Sequence, residues 1–203
     1  MFRGWGTFPD MNEGQRVAGG GAAGTACVNR LDATQLAARV EELARLLVDT
    51  VADGASVGFL APLSAIEAAH WWRERVAGVS EGRLAVWTAH DGEGRTVGTV
   101  SLAFPDKPNS RHRAELVKLM VHRSARGEGL GRRLLNTAER AAAEAGVTLL
   151  HLDTETGSAA ERLYDSAGWT RVGAIPDYAA DPGGVLRPTT LYYKQVGAGA
   201  RHG

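Results

Sequence analysis

Apolar positions in this chain switch between a helical and a strand period, and the switches mark out its elements. Cys27 to Leu31 reads as a first strand, after which Asp32 or Thr34 caps a helix carrying Leu36, Val40, Leu43, Leu46 and Leu47 at three-to-four spacing. A second helix is predicted from Ser64, where Glu67 completes a capping box, with Ile66, Ala69, His70, Trp71, Arg73 and Val76 along it. The runs Arg83 to His90 and Thr96 to Phe104 flank Asp91-Gly92-Glu93-Gly94-Arg95, which is turn chemistry for a hairpin. A long strand from His112 to His122 then meets a glycine-rich turn and a helix from Gly129 to Ala145, ended by Gly146. Val147 to Thr154 reads as strand and Ser158 to Ala167 as a short helix, and strands from Trp169 to Ala174 and from Pro188 to Val196 follow. A hairpin region, one β–helix–β crossover and a terminal strand pair define a mixed-sheet α/β sandwich.

Residues 1–26 show no apolar period and include Gly19-Gly20-Gly21-Ala22-Ala23-Gly24, so a disordered leader is expected there. Residues 27–197 are expected to form one domain and residues 198–203 a flexible tail. Equal numbers of basic and acidic residues, 23 each, give no reason to expect nucleic acid or an anionic membrane as partner. The lone Cys27 excludes an internal disulfide and a cysteine-rich zinc site, and fits a reducing, cytoplasmic setting. Neither a long apolar span nor a secretory leader pattern is present. The six histidines, His70, His90, His112, His122, His151 and His202, have no ligand-like spacing, so no metal is expected.

Chemistry concentrates where the long strand pours through Arg126-Gly127-Glu128-Gly129-Leu130-Gly131-Arg132-Arg133 into a helix. Such a junction suits phosphate, because glycine permits close approach and the free N–H groups of a first helical turn point outward with the dipole behind them. A nucleoside-triphosphate loop would need Gly-Lys-Ser/Thr, which the chain lacks. A dinucleotide fingerprint would need a third glycine where Arg132 or Leu134 stands, although Asp153 falls near the place of a ribose-binding acid. An ordinary strand-to-helix loop is the plainer reading, but arginines beside the positive end of a helix dipole favour an anion there.

The sequence Arg126-x-x-Gly129-x-Gly131 resembles the pyrophosphate motif of the GNAT acetyltransferase superfamily, and Ala160-Glu161-Arg162-Leu163-Tyr164-Asp165-Ser166-Ala167-Gly168-Trp169 is similar to its A-x-x-x-Y-x-x-x-G-F element. The likeness covers about Arg30 to Gln195. Ala114 to Val121, His151 to Ser158 and Pro188 to Lys194 further resemble the tabtoxin-resistance type of GNAT enzyme, which acetylates a β-lactam amino-acid toxin. The resemblance implies a mostly antiparallel sheet flanked by helices, with a splayed central strand pair and acetyl-CoA as co-substrate. It places the pantetheine arm along Leu119, Met120 and Val121, and the pyrophosphate on Arg126, Gly127, Gly129, Leu130, Gly131 and Arg132. Tyr164 takes the general-acid position, and Glu115 and Asp153 share amine recognition and general-base work, unranked. Many members carry Asn where Gly157 stands, so Ser158 is expected either to touch the coenzyme or to cap its helix. Cys27 lies outside both motifs, against an acetyl-cysteine intermediate.

A small amine, amino-acid-like as in an antibiotic, is the first acceptor the resemblance suggests. A protein amine and a non-catalytic coenzyme A sensor are the alternatives, and a homodimer is compatible with the sequence. Since adjacent tryptophans cannot face one core, either Trp71 or Trp72 is available to line a substrate entrance.

Overall fold

The computed structural model describes residues 27–197, so the readings of a leader and a tail lie outside the described residues. The elements are β1 (Cys27–Leu31), α1 (Ala33–Ala38), α2 (Val40–Ala52), α3 (Ala65–Arg73), α4 (Arg75–Ser80), β2 (Leu84–His90), β3 (Thr96–Ala103), β4 (Arg113–Val121), α5 (Leu130–Glu144), β5 (Leu149–Glu155), α6 (Ala159–Ser166), β6 (Thr170–Ala180) and β7 (Leu186–Gln195). Among the described residues the strands form one seven-stranded sheet in the order β1-β2-β3-β4-β5-β7-β6. Every pairing is antiparallel except β4 with β5. This is the sheet expected from the sequence. Among the described residues no helix is long and apolar enough to cross a membrane.

Two apolar layers cover the sheet. On one face α5 buries Leu130, Leu134, Leu135, Ala138 and Ala142 at helical spacing against Val100, Leu102, Leu116, Leu150 and Leu152. Each fully buried leucine contributes roughly 1.5–3 kcal/mol by burial. The opposite face is packed by Leu43, Leu46, Leu47 and Val51 of α2, with Trp72 and Met120. Ser64 makes the expected capping box with Glu67, and of Asp32 and Thr34 it is Asp32 that caps the first helix, in a second box with Gln35.

Three differences from the sequence reading affect the site. Single-residue interruptions at Arg39 and Glu74 split the two predicted helices into α1–α2 and α3–α4. Strand β6 runs six residues past Ala174, because Pro176 and Asp177 sit in an irregularity of an edge strand, where a missing ladder donor costs little. Third, β4 carries a bulge: Val117 pairs with Ser101 and Met120 with Thr99, so three steps on β4 face two on β3. Lys118 sits in this bulge with φ +54°. The extra residue inverts the strand's faces. Leu116 packs on the α5 side, whereas Met120, four residues on, packs on the α2 side.

Candidate active site

The parallel ladder between β4 and β5 is short. Arg113, Ala114 and Glu115 pair with Leu149, Leu150 and His151, and the pairing stops there. Beyond it β5 is held only by β7, and the bulged half of β4 only by β3. The edge of Leu119 to Val121 that faces β5 is therefore left without a strand partner, as the pantetheine reading requires. Arg126 Nε donates to the Val121 carbonyl at 3.0 Å, so that acceptor is already engaged.

At the far end of β4 a short turn, Arg123–Ala125, leads into the phosphate loop. Gly127 and Gly129 have φ +84° and +74°, which side-chain-bearing residues adopt only with strain. Gly129 is the N-cap of α5 and supplies no side-chain cap. The N–H groups of Leu130, Gly131 and Arg132 consequently have no carbonyl behind them, and the first intrahelical bond runs from Arg133 N to Gly129 O at 3.1 Å. The arginines occupy the third and fourth helical positions. Their neighbours in the chain show how they are held: Arg132 Nη2 donates to Ser166 Oγ at 2.5 Å, tying α5 to α6. Arg126 pairs with Asp53 at the end of α2, and Arg123 Nε donates to Asp49 Oδ1 at 2.6 Å. The Arg126 guanidinium holds the Asp53 carboxyl below its usual range. The backbone of the turn is thus open while its guanidinium groups are engaged within the chain.

Ser158 caps α6, accepting from Glu161 N at 3.1 Å, and Gly157 N donates to Glu161 Oε2 at 2.5 Å. Of the two roles open to Ser158, the cap is the one observed. Tyr164 projects from α6 into the core between Trp169 and Tyr192. Burial pushes its phenol well above the ordinary tyrosine value, and the Asp153 carboxylate pushes the same way. Among the described residues no hydrogen bond reaches its hydroxyl, so the proton is not committed elsewhere.

Strand alternation puts Leu150 and Leu152 on the α5 face and His151 and Asp153 on the other, alongside Glu115. Glu115 and His151 line a pocket of about 280 Å³ with Ala103, Phe104, Pro105 and Arg113. Asp153 influences Tyr164, Lys118 and His151 alike, and Glu115 influences the latter two. The structure therefore brings Glu115, Asp153 and Tyr164 to the place where the strands part.

Sequence reasoning missed two residues of this face. His151 accepts from Arg113 Nη1 at 3.3 Å through Nε2, and burial holds its imidazole below the usual histidine value. Because arginine only donates, Nε2 carries the lone pair and the ring is neutral. Lys118 donates from Nζ to the Val57 carbonyl at 2.9 Å and lies 5.2 Å from the Trp71 ring centroid and 5.8 Å from that of Phe59. Of the adjacent tryptophans, Trp71 is partly buried beside Lys118, whereas Trp72 is fully buried. A lysine inside Leu116-Val117-Lys118-Leu119-Met120-Val121, and a histidine between two buried leucines, were the available signals.

The start of α5 carries no side-chain cap, and Glu115 and Asp153 share one face of the sheet where β4 and β5 part. Residues 58–169 match the family model of the acetyltransferase (GNAT) family, and the chain belongs to that family. Similar solved structures include a phosphinothricin acetyltransferase from Sinorhizobium meliloti in complex with AcCoA, at 18% identity and TM-score 0.71, covering 88% of this chain and 92% of that one. The yncA protein of Salmonella typhimurium, solved with its cofactor acetyl-CoA, matches at 20% identity and TM-score 0.67 over 88% and 98% of the two chains. A ribosomal-protein-alanine N-acetyltransferase from Brucella melitensis matches at 24% identity and TM-score 0.68 over 83% and 99%.

Proposed function

We propose that this chain transfers acetyl from acetyl-CoA to the primary amine of a small, amino-acid-like molecule, an antibiotic or toxin, by direct attack in a ternary complex. The observation that carries the reading is the parting of β4 and β5 just past Glu115 and His151, with both candidate bases on one face and Tyr164 reaching in from the other. The N–H groups of Leu130, Gly131 and Arg132 would take the pyrophosphate, and the open edge of Leu119 to Val121 the pantetheine arm. Acetyl-CoA would then lie with its thioester in the gap between the strands.

A primary amine is ammonium at neutral pH, with a pKa of about 10.4 as a guide, so it must lose a proton before attack. Glu115 and Asp153 receive that proton, directly or through water. The amine nitrogen adds to the thioester carbonyl, whose developing oxyanion is met by backbone N–H in the Met120–Val121 region. Collapse breaks the carbon–sulfur bond, and Tyr164 donates its proton to the departing thiolate. The thiol-free site needs no acetyl-enzyme.

The tabtoxin-resistance pattern and the fold likeness to a phosphinothricin acetyltransferase both support a small acceptor with a role in resistance. A single exposed thiol, Cys27, suits a cytoplasmic setting. Incubation with labelled acetyl-CoA and a panel of small amines is expected to give an N-acetylated product and free thiol. Coenzyme binding without transfer to any small amine would overturn the reading, and acetylated protein in a lysate digest would favour a protein acceptor.

A further inference from the structure

The acceptor face holds separated charges of opposite sign. Glu115 and Asp153 supply the negative pole, and Lys118, turned toward the helical layer by the β4 bulge, supplies the positive one. They do not neutralise each other by contact, for neither carboxylate lies within the 4.0 Å of an ion pair with Lys118. The ammonium has three donors, and one is used, on the Val57 carbonyl. Around it lie Gly58 and the rings of Trp71 and Phe59. Trp71 presents one ring toward Lys118 and is fixed from outside by Arg75, whose guanidinium carbon stacks 3.8 Å from the ring centroid while Nη1 donates to the Trp71 carbonyl at 2.9 Å. Phe59 meets Trp71 edge-on at 5.6 Å, closing the cage.

A cation placed this way is costly if its only task is structural. Burial and the nearby Arg75 both hold the ammonium below the ordinary lysine value, with Asp153 and Glu115 opposing. One neutral carbonyl bond and two cation–π contacts stabilise it and leave two of its three donors unused. An anion delivered by the acceptor would complete the set.

We propose that Lys118, framed by Trp71 and Phe59, is an anion subsite that holds the acceptor's carboxylate while Glu115 and Asp153 receive its amine. The acceptor is then a zwitterion, an amino acid or a close analogue, rather than a simple amine. This rests on the acetyl-transfer reading and narrows its substrate class. The amine and carboxylate of one such molecule would bridge the two poles, orienting the nitrogen toward the parted strands. Lys118 acts here as a specificity-determining residue, with no part in proton transfer. The bulge sets this placement: an unbulged strand would turn residue 118 toward the α5 side.

Matched trios test the subsite: leucine, leucinamide and 3-methylbutylamine, with the corresponding set for phenylalanine, assayed for acetyl transfer by the full chain. The amide's amine is less basic than the acid's and the decarboxylated amine's is more basic, so a loss common to both reports the missing carboxylate. The free acids are expected to be preferred, and Lys118→Met to raise KM for them about 10- to 100-fold, the range for losing a bond between charged partners. Lys118→Arg should retain the preference, and KM for acetyl-CoA should not move in either variant. Equal use of acid, amide and amine by the wild type would overturn the proposal, as would an equal loss on all three in Lys118→Met. If no amine is turned over, the acetyl-transfer reading fails by itself. Calorimetric titration of the coenzyme A-bound protein with leucine and leucinamide then reads the subsite alone: a leucine preference abolished by Lys118→Met sustains it, and no preference ends it.

Discussion

The two ends of the cleft are made from different parts of the chain. The proposed donor end is backbone: contiguous residues from Arg126 to Arg132 run into a helix start, and the guanidinium groups of Arg126 and Arg132 are bonded elsewhere. The acceptor end is side chains, drawn from α3, the loop before it, β4 and β5. A backbone site tolerates changes of side chain but not of dihedral angle, and a side-chain site the reverse. Substitutions should therefore separate the two ends by which ligand they affect.

The sharpest separation is expected from Glu115→Gln with Asp153→Asn. Removing both candidate bases leaves the amine protonated, and kcat/KM for acetyl transfer should fall about 10³-fold, within the range for general acid–base catalysis. Coenzyme A affinity measured by calorimetry should be unchanged. If transfer persists at wild-type rates with both carboxylates gone, the base lies elsewhere, and neutral His151 is the next group on that face.

Next in size is Tyr164→Phe, which removes the proposed proton donor from between the two ends. A fall in kcat of about 10²-fold is expected, with both KM values little changed. The raised phenol gives a pH signature. Because burial and Asp153 favour its neutral form, the acid stays protonated beyond the ordinary value of about 10, so wild-type kcat should show no alkaline decline from this group below that pH. A decline near pH 8 that is abolished in Tyr164→Phe would contradict the assignment.

The same division governs what the sequence reveals. The glycine turn before α5 was legible because glycine spacing encodes backbone conformation locally: Gly127 and Gly129 take the positive φ their types suggest. The helix that carries Tyr164 was legible for a similar reason, since it and its closing Gly168 lie in one contiguous motif. Lys118 and its cage were not. Their proximity depends on a bulge, and nothing in Val117-Lys118-Leu119 distinguishes a bulged strand from a regular one. Phe59 and Trp71 reach the cleft through the packing of α3, which periodicity does not specify. Arg126 and Arg132 were expected on phosphates, and local sequence could not disclose that Asp53 and Ser166 stand within reach.

A backbone substitution should touch the donor end alone. Gly129→Val places a β-branched residue at φ +74° in the N-cap, at a cost of about 1–3 kcal/mol if the conformation is kept. Coenzyme A affinity is expected to fall about 10- to 100-fold by calorimetry. Selectivity among amines should be unaffected at saturating acetyl-CoA. A changed acceptor preference with normal coenzyme affinity would break the comparison, because the two ends would then communicate through the turn.

The smallest effect tests whether the donor end is backbone alone. Arg126 borders the turn, partly exposed, and is held by Asp53 across from α2. Asp53 therefore competes with any phosphate for the same guanidinium. In Asp53→Asn that competition ends, and coenzyme A should bind about 2- to 3-fold tighter at low salt, as expected for one exposed charge pair. The gain should vanish at high ionic strength, where the Debye length shrinks to about 3 Å at 1 M. If the variant instead binds more weakly, and equally so at every salt concentration, the Arg126–Asp53 pair serves to hold the turn in shape. Salt dependence decides between the two, because screening weakens a competing charge but leaves a loop's geometry in place.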